Sequence, residues 1–255
     1  MNIDEYLQKL PRNILDGEDA NLSEKSYKTI FNLVNLKPND IFYHLGSGDG
    51  LGVKIAKRDY NVKKSIGIDY NMEKISLSEK EASSQNILTE FRHQDILDAD
   101  ISDATVILFW FTNEEIIKKM KVKFSNLKEG IRIITIWGPL PETIPDKVDF
   151  PYIINKTPFK KANNIQEQLL SIFKVKCVDF VTAWEFAERY TKALGTPDIK
   201  NDRFLTIIQT LTIWINAKKL GVTCGEGIPE SIDTYIKLMK MNFDIDFEPL
   251  LKDEL

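Results

Sequence analysis

A dense glycine cluster, Gly46-Ser47-Gly48-Asp49-Gly50-Leu51-Gly52, interrupts the chain. Glycines this close together let backbone N–H groups approach a polar or anionic ligand, because side chains would block the approach and some positions require positive φ. Asp69 follows at the end of the apolar run Ser65 to Ile68. A carboxylate there accepts hydrogen bonds from ribose hydroxyls. Asp95 stands just after a third run, Leu88 to Arg92, and adds a polar group at the same edge. Polar chemistry at three successive strand ends is what a nucleotide-type ligand requires, and open α/β sheets bind such ligands where the strand order reverses.

The elements that must position these residues alternate. Leu22 to Leu36 places Tyr27, Ile30, Phe31 and Val34 at helical spacing, starting at Ser23 and ending in the turn chemistry of Lys37-Pro38-Asn39-Asp40. Ile41 to Leu45 reads as a strand, Val53 to Asp59 as a helix, Ser65 to Ile68 as a strand and Glu73 to Ser83 as a helix. After the Leu88–Arg92 strand, Ala104 to Phe111 is a nearly continuous apolar run, as expected of a central parallel strand covered on both faces. Asn113 to Phe124 is an amphipathic helix, and Ile131 to Trp137 another buried strand. This order predicts an α/β fold with a doubly wound, mostly parallel, Rossmann-like sheet. Prolines 139, 141, 145, 151 and 158 then mark an irregular connection, with strands expected at 149–156 and 173–181. Helices are expected over Thr182–Leu194, from an Asp202 N-cap to Gly221, and from Pro229 to Met241. The expected domains are a cofactor domain over 1–145, completed by strands within 149–181, and a helical C-terminal region over 182–255.

Two ligands suit the glycine frame, a dinucleotide and S-adenosylmethionine. The dinucleotide fingerprint needs glycine or alanine three positions after its second glycine, and Leu51 stands there. The Gly-x-Gly-x-Gly spacing favours S-adenosylmethionine. At this point Phe42-Tyr43-His44-Leu45-Gly46-Ser47-Gly48-Asp49-Gly50 resembles motif I of class I methyltransferases, and Ile66-Gly67-Ile68-Asp69 resembles their ribose-binding strand end. More narrowly, Ser23 to Trp137 is similar to the archaeal protein-lysine methyltransferases, relatives of the non-SET histone-lysine methyltransferases. The likeness rests on Pro38-Asn39-Asp40, Asn61-Val62-Lys63-Lys64, Asp100-Ile101-Ser102-Asp103-Ala104-Thr105-Val106 and Leu127-Lys128-Glu129-Gly130-Ile131-Arg132.

The resemblance implies that Gly46, Ser47 and Gly48 pass close to the methionine part of S-adenosylmethionine. It implies that Asp69 binds the ribose, Tyr70 covers the adenine, and Asp95 and Ile96 meet the adenine edge. Phe109 to Asn113 would face the methyl group and its acceptor, with Trp110, Thr112 and Asn113 as the catalytic candidates. Walls from Phe109, Trp110, Phe111 and Trp137 would favour a neutral lysine by disfavouring its ammonium form, although strand alternation assigns Phe109 and Phe111 to the core. His44 stands where the family usually has a carboxylate; this departure would lower cofactor affinity, make it pH-dependent, or be offset by Asp49. No general base is evident.

Composition agrees with an enzyme of this kind. The 255 residues include 34 basic and 38 acidic side chains, a formal net charge of -4, which lacks the basic footprint of a dedicated nucleic-acid binder. From Pro151 onward the counts are 14 and 14, so the acidic excess lies in the first 150 residues. Cys177 and Cys224 form no Cys-x-x-Cys pair, so no metal ribbon is expected. A disulfide between them is left open, and a chain of this length does not need one. Met1 to Asp19 lacks the apolar core of a signal peptide and no stretch reads as a membrane span, so a cytoplasmic protein is expected. The terminal Lys252-Asp253-Glu254-Leu255 is then a coincidental match to a retrieval address. The function expected is methyl transfer from S-adenosylmethionine to protein lysine. A small-molecule or nucleic-acid acceptor is the alternative within enzymes. A non-catalytic cofactor-binding scaffold is the alternative outside them, kept open by His44. Trp184 and Trp214 in the C-terminal helices read as core or interface anchors, and oligomerisation through these helices is left open.

Overall fold

The computed structural model describes residues 22–194 and 203–252. Helix α1 (Glu24–Leu33) begins where Ser23 Oγ accepts the Ser26 N–H at 3.1 Å, and its periodic Tyr27, Ile30 and Phe31 are buried. Five strands follow: β1 (Ile41–Leu45), β2 (Lys64–Asp69), β3 (Glu90–His93), β4 (Val106–Phe109) and β5 (Arg132–Ile136). Between them lie α2 (Leu51–Tyr60), α3 (Met72–Ser84) and α4 (Glu114–Ser125). β6 (Thr143–Ile144), β7 (Lys147–Asp149), β8 (Tyr152–Lys156) and β9 (Lys160–Lys161) come next. The rest is helical: α5 (Ile165–Phe173), α6 (Phe180–Ala193), α7 (Arg203–Lys219), α8 (Glu230–Phe243) and α9 (Glu248–Lys252).

The main sheet has the order β3-β2-β1-β4-β5-β8-β7, parallel from β3 to β5, with β8 antiparallel to both neighbours. Strand alternation sends Phe42, Val106, Leu108 and Ile134 to one face, against α1 and α2. Tyr43, Leu45, Ile107 and Ile133 go to the other face, against Met120 and Phe124 of α4. The chain leaves β1 first to one side and later to the other, so the reversal of strand order falls between β1 and β4. That crevice is where such sheets bind ligands.

The expected doubly wound sheet with a helical extension is therefore the observed fold. The 149–156 strand appears as β8 and completes the sheet, whereas no strand forms over 173–181. Only an isolated bridge, Val178 to Thr223, occurs there. Ahead of it lies α5, an unexpected short helix capped by Asn164, whose Oδ1 accepts the Glu167 N–H at 2.8 Å. The expected Asp202 cap and the last three residues lie outside the described residues. Cys177 and Cys224 do form a disulfide, with Cα atoms 5.0 Å apart. Backbone bonds from Val178 N to Val222 O (2.8 Å) and from Cys224 N to Val178 O (3.0 Å) bring them together. No local sequence signal reports such a pairing across 47 positions.

The helical part is not an appendage. Phe150, Ile153, Phe186, Tyr190 and Leu205 form one cluster joining the sheet to α6 and α7, and Trp110 and Trp137 pack on it. Ser26 Oγ also donates to Ala193 O at 2.7 Å, tying α1 to the end of α6. No helix among the described residues is long and apolar enough to cross a membrane.

Candidate active site

A cleft of about 330 Å³ opens at the carboxyl ends of β1, β2 and β4. Its floor is the glycine turn. Gly46, Gly48 and Gly50 have φ of 72°, 55° and 69°, which explains why this stretch needs residues without a Cβ. At Gly46 a Cβ would also come within 2.9 Å of Phe111 Cζ. Gly46 N and Ser47 N both donate to Ile68 O, at 2.8 and 3.0 Å, which clamps the turn to β2.

Asp69 organises this turn directly. One carboxylate oxygen accepts the Gly48 N–H at 2.8 Å and the other accepts the Asn71 N–H at 2.9 Å. The side chain is buried at the cleft wall, so the expected ribose acceptor is also a brace between two ligand-facing loops. A carboxylate has about four lone-pair positions, and two remain for a ligand. Asn71 caps α3 through Oδ1, and Tyr70 stands exposed at the rim, its carbonyl bonded to His93 Nε2 at 2.8 Å. Asp95 Oδ1 accepts the Leu97 N–H at 2.8 Å, and Ile96 is buried beside it. Lys123 of α4 donates to Ile96 O and Leu97 O at 3.1 and 2.7 Å, fixing this loop from behind; partial burial pushes its ammonium pKa down.

The opposite wall carries His44 and Tyr27. Their rings meet edge to face at 5.9 Å, and the Phe42 ring lies 6.4 Å from that of His44. His44 is 5% exposed, and burial pushes its pKa down to about 3, so it is neutral at physiological pH. The expected pH-dependent cofactor contact therefore does not arise from His44 titrating near neutrality. Its Nδ1 and the hydroxyl of Ser47 are buried without a hydrogen-bond partner, and both residues line the cleft. Burial and the nearby Asp49 charge push the Tyr27 phenol pKa up, so it keeps its proton.

The structure brings His44, Gly46, Ser47, Gly48, Asp69, Tyr70, Asp95, Ile96, Trp110, Thr112 and Asn113 to one cleft. Asp49 is the exception: it does not line the cleft, and its Oδ1 accepts the Leu51 N–H at 3.0 Å at the start of α2. Asn113 lines the cleft but commits its Oδ1 to capping α4, accepting from Glu115 N and Ile116 N. Phe109 is core, as alternation required, yet Phe111 is half-buried and lines the cleft. Phe111 also keeps to the core side, stacking 4.8 Å from Phe109, although β4 ends at Phe109. Trp137 is also corrected: it has a φ of 70°, packs 4.5 Å from Tyr190, and lines a different cavity. Residues not anticipated at the cleft are Tyr27, Asn71, Lys74, Gln94 and Ile116. Asn71, Gln94 and Ile116 adjoin recognised positions, whereas nothing local could have marked Tyr27, which arrives from the preceding helix.

Buried polar atoms without partners on a cleft wall, a glycine cradle and an exposed aromatic rim fit a polar ligand with a flat ring, as S-adenosylmethionine is. Comparison with known proteins agrees. Residues 20–144 match the family model described as Histone methylation protein DOT1. A protein-lysine N-methyltransferase of Saccharolobus islandicus is 32% identical over 115 residues, covering 44% of this chain and 71% of that relative. Among solved structures, an RNA methyltransferase from Salinibacter ruber in complex with S-adenosyl-L-homocysteine superposes with a TM-score of 0.52 at 24% identity. That match covers 57% of this chain and 98% of the other. Strand order, glycine turn and sequence kinship thus converge, and the chain belongs to this family of S-adenosylmethionine-dependent methyltransferases.

Proposed function

We propose that this enzyme methylates the side-chain amine of lysine in a protein substrate. The cleft end formed by Trp110, Phe111, Thr112 and Asn113 carries this reading, because it combines aromatic walls with small polar groups beside the glycine turn. The kinship with a protein-lysine N-methyltransferase supports it. The cofactor, when bound, supplies an electrophilic methyl group on a sulfonium whose leaving group is already good.

The chain then has to bind, align and exclude water. In this reading Gly46, Ser47 and Gly48 hold the methionine part, Asp69 accepts from the ribose, and Tyr70 covers the adenine with Asp95 and Ile96 at its edge. Trp110 and Phe111 form an apolar passage that disfavours the lysine ammonium, so the amine enters with its lone pair available. Thr112, whose hydroxyl both donates and accepts, orients that nitrogen. Asn113 serves mainly by placing Thr112 through its cap on α4, since its carbonyl oxygen is engaged. His44 is too weakly basic to take the proton, which leaves to water. The amine nitrogen would take the supplied methyl group with its own lone pair, and the proton it gave up on entering the passage is the one released.

The test is incubation with methyl-labelled cofactor and cell extract, then hydrolysis of the labelled fraction. Label in methyllysine, lost with Asp69→Ala, is the expected result. Label in RNA or in small molecules refutes the lysine assignment, and binding without any labelling favours a scaffold.

A further inference from the structure

A second cavity, of about 220 Å³, lies between the end of β5, α5 and the helices α6 and α7. We propose that it binds a small, uncharged, planar aromatic molecule carrying one N–H or O–H donor. The observations are independent of the methyl-transfer site and of the lysine assignment.

The wall is aromatic and closely knit. Phe150 lies 5.3 Å from Phe173 and 4.8 Å from Phe186, Phe173 and Phe186 are 4.7 Å apart, and Trp137 is 6.0 Å from Phe150. No charged side chain lines the cavity, so a phosphate, a carboxylate or an ammonium would enter uncompensated. This excludes a second cofactor molecule and a lysine side chain.

Gln168 sets the polar requirement. It is 7% exposed, and its Nε2 donates to Leu140 O and to Thr143 O, each at 2.9 Å. Two carbonyl acceptors can only be met by the NH₂ group, which fixes the amide orientation. Its Oε1 accepts no hydrogen bond among the described residues, although Gln168 lines the cavity. Beside the apolar aromatic wall the lining holds two amides, Gln168, whose oriented Oε1 is left to accept, and the exposed Asn216; the matching ligand offers one donor to Gln168. An apolar cavity of about 150 Å³ holds a benzene ring, so this one holds about nine non-hydrogen atoms, the size of an indole. The site is also preformed: Val178 and Val222 belong to its lining, and each lies near one end of the Cys177–Cys224 bridge.

The experiment uses the full chain saturated with S-adenosylhomocysteine, so that the methyl-transfer cleft is blocked. Indole is titrated while the methyl resonances of Ile172 and Ile213 are followed. Saturable shifts with a dissociation constant of about 0.1–1 mM are expected for a fragment of this size. Benzothiophene, of the same shape without the donor, should bind about threefold to tenfold more weakly. Ala217→Phe, which fills the cavity, should abolish the shifts while S-adenosylhomocysteine affinity stays unchanged. Failure of indole to shift these methyls, or unchanged binding in a folded Ala217→Phe protein, overturns the site. Equal affinity for benzothiophene overturns the role of Gln168 on the wild-type protein alone, whether or not the variant folds.

Discussion

His44 makes a quantitative prediction, because its environment depresses its proton affinity without any compensating partner. Burial against Tyr27 and Phe42 lowers its pKa from 6.5 to about 3, while in the unfolded chain it titrates normally. The folded state therefore binds fewer protons than the unfolded state at every pH between these values, and acid favours unfolding there. Stability is intact above pH 6.5 and falls progressively below it until the folded pKa is reached. Linkage puts the loss at about 2 kcal/mol between pH 7 and pH 5, a fraction that other titrating groups can mask. His44→Leu removes the proton site while filling similar space, so the useful quantity is a difference of differences. Urea unfolding of wild type and His44→Leu at both pH values should show the wild type losing about 2 kcal/mol more than the variant. The same variant, freed of an unpaired buried Nδ1, should be no less stable than wild type at pH 7. Parallel losses in the two proteins would refute the claim that His44 is buried and neutral.

Three further perturbations probe the site and its supports. Gly46→Ala forces a side chain into positive φ and against Phe111. It should cost about 1–2 kcal/mol of stability and weaken S-adenosylmethionine binding by calorimetry, whereas unchanged affinity would remove the glycine turn from the binding surface. Lys123→Met releases the carbonyls of Ile96 and Leu97, and should weaken cofactor binding about threefold to thirtyfold with little change in the acceptor KM. Reduction of the Cys177–Cys224 bridge opens a loop closed over 47 positions. The chain-entropy argument gives a loss of about 4 kcal/mol, read by denaturation with and without dithiothreitol, and cofactor affinity should not move because the bridge lies away from the cleft.

The sheet and most of the cleft were legible because both depend on local pattern. Apolar runs such as Ala104 to Phe111 have a period and a length, and the glycine spacing follows from a backbone geometry that only glycine adopts comfortably. Asp69 was found for its chemistry at a strand end, yet its bonds to Gly48 and Asn71 show that it is needed before any ligand arrives. What escaped was non-local. Tyr27 reaches the cleft by packing against Gly52, where a Cβ would lie 2.5 Å from its ring, and nothing in either segment announces the other. Phe111 packs on the core as alternation implies, but it also lines the cleft because the strand ends at Phe109. The disulfide and α5 were hidden for the same reason, since each depends on how the helical part folds back.

That folding back bears on acceptor choice. The family match ends at residue 144, so the helices from Ile165 onward lie outside the matched segment. Trp110 follows β4 and lines the cleft, and it packs both on the sheet-face core and on the cluster containing Phe186 and Tyr190. If Trp110 walls the acceptor passage as proposed, that wall rests on a cluster to which α6 contributes Phe186 and Tyr190. Substitutions at Phe186 or Tyr190 touch no residue of the glycine turn, yet they alter the packing that holds Trp110. They should change the acceptor KM and the choice of substrate while leaving cofactor affinity intact. On the proposed function, that outcome would separate acceptor choice, acting through Trp110, from cofactor binding at the glycine turn.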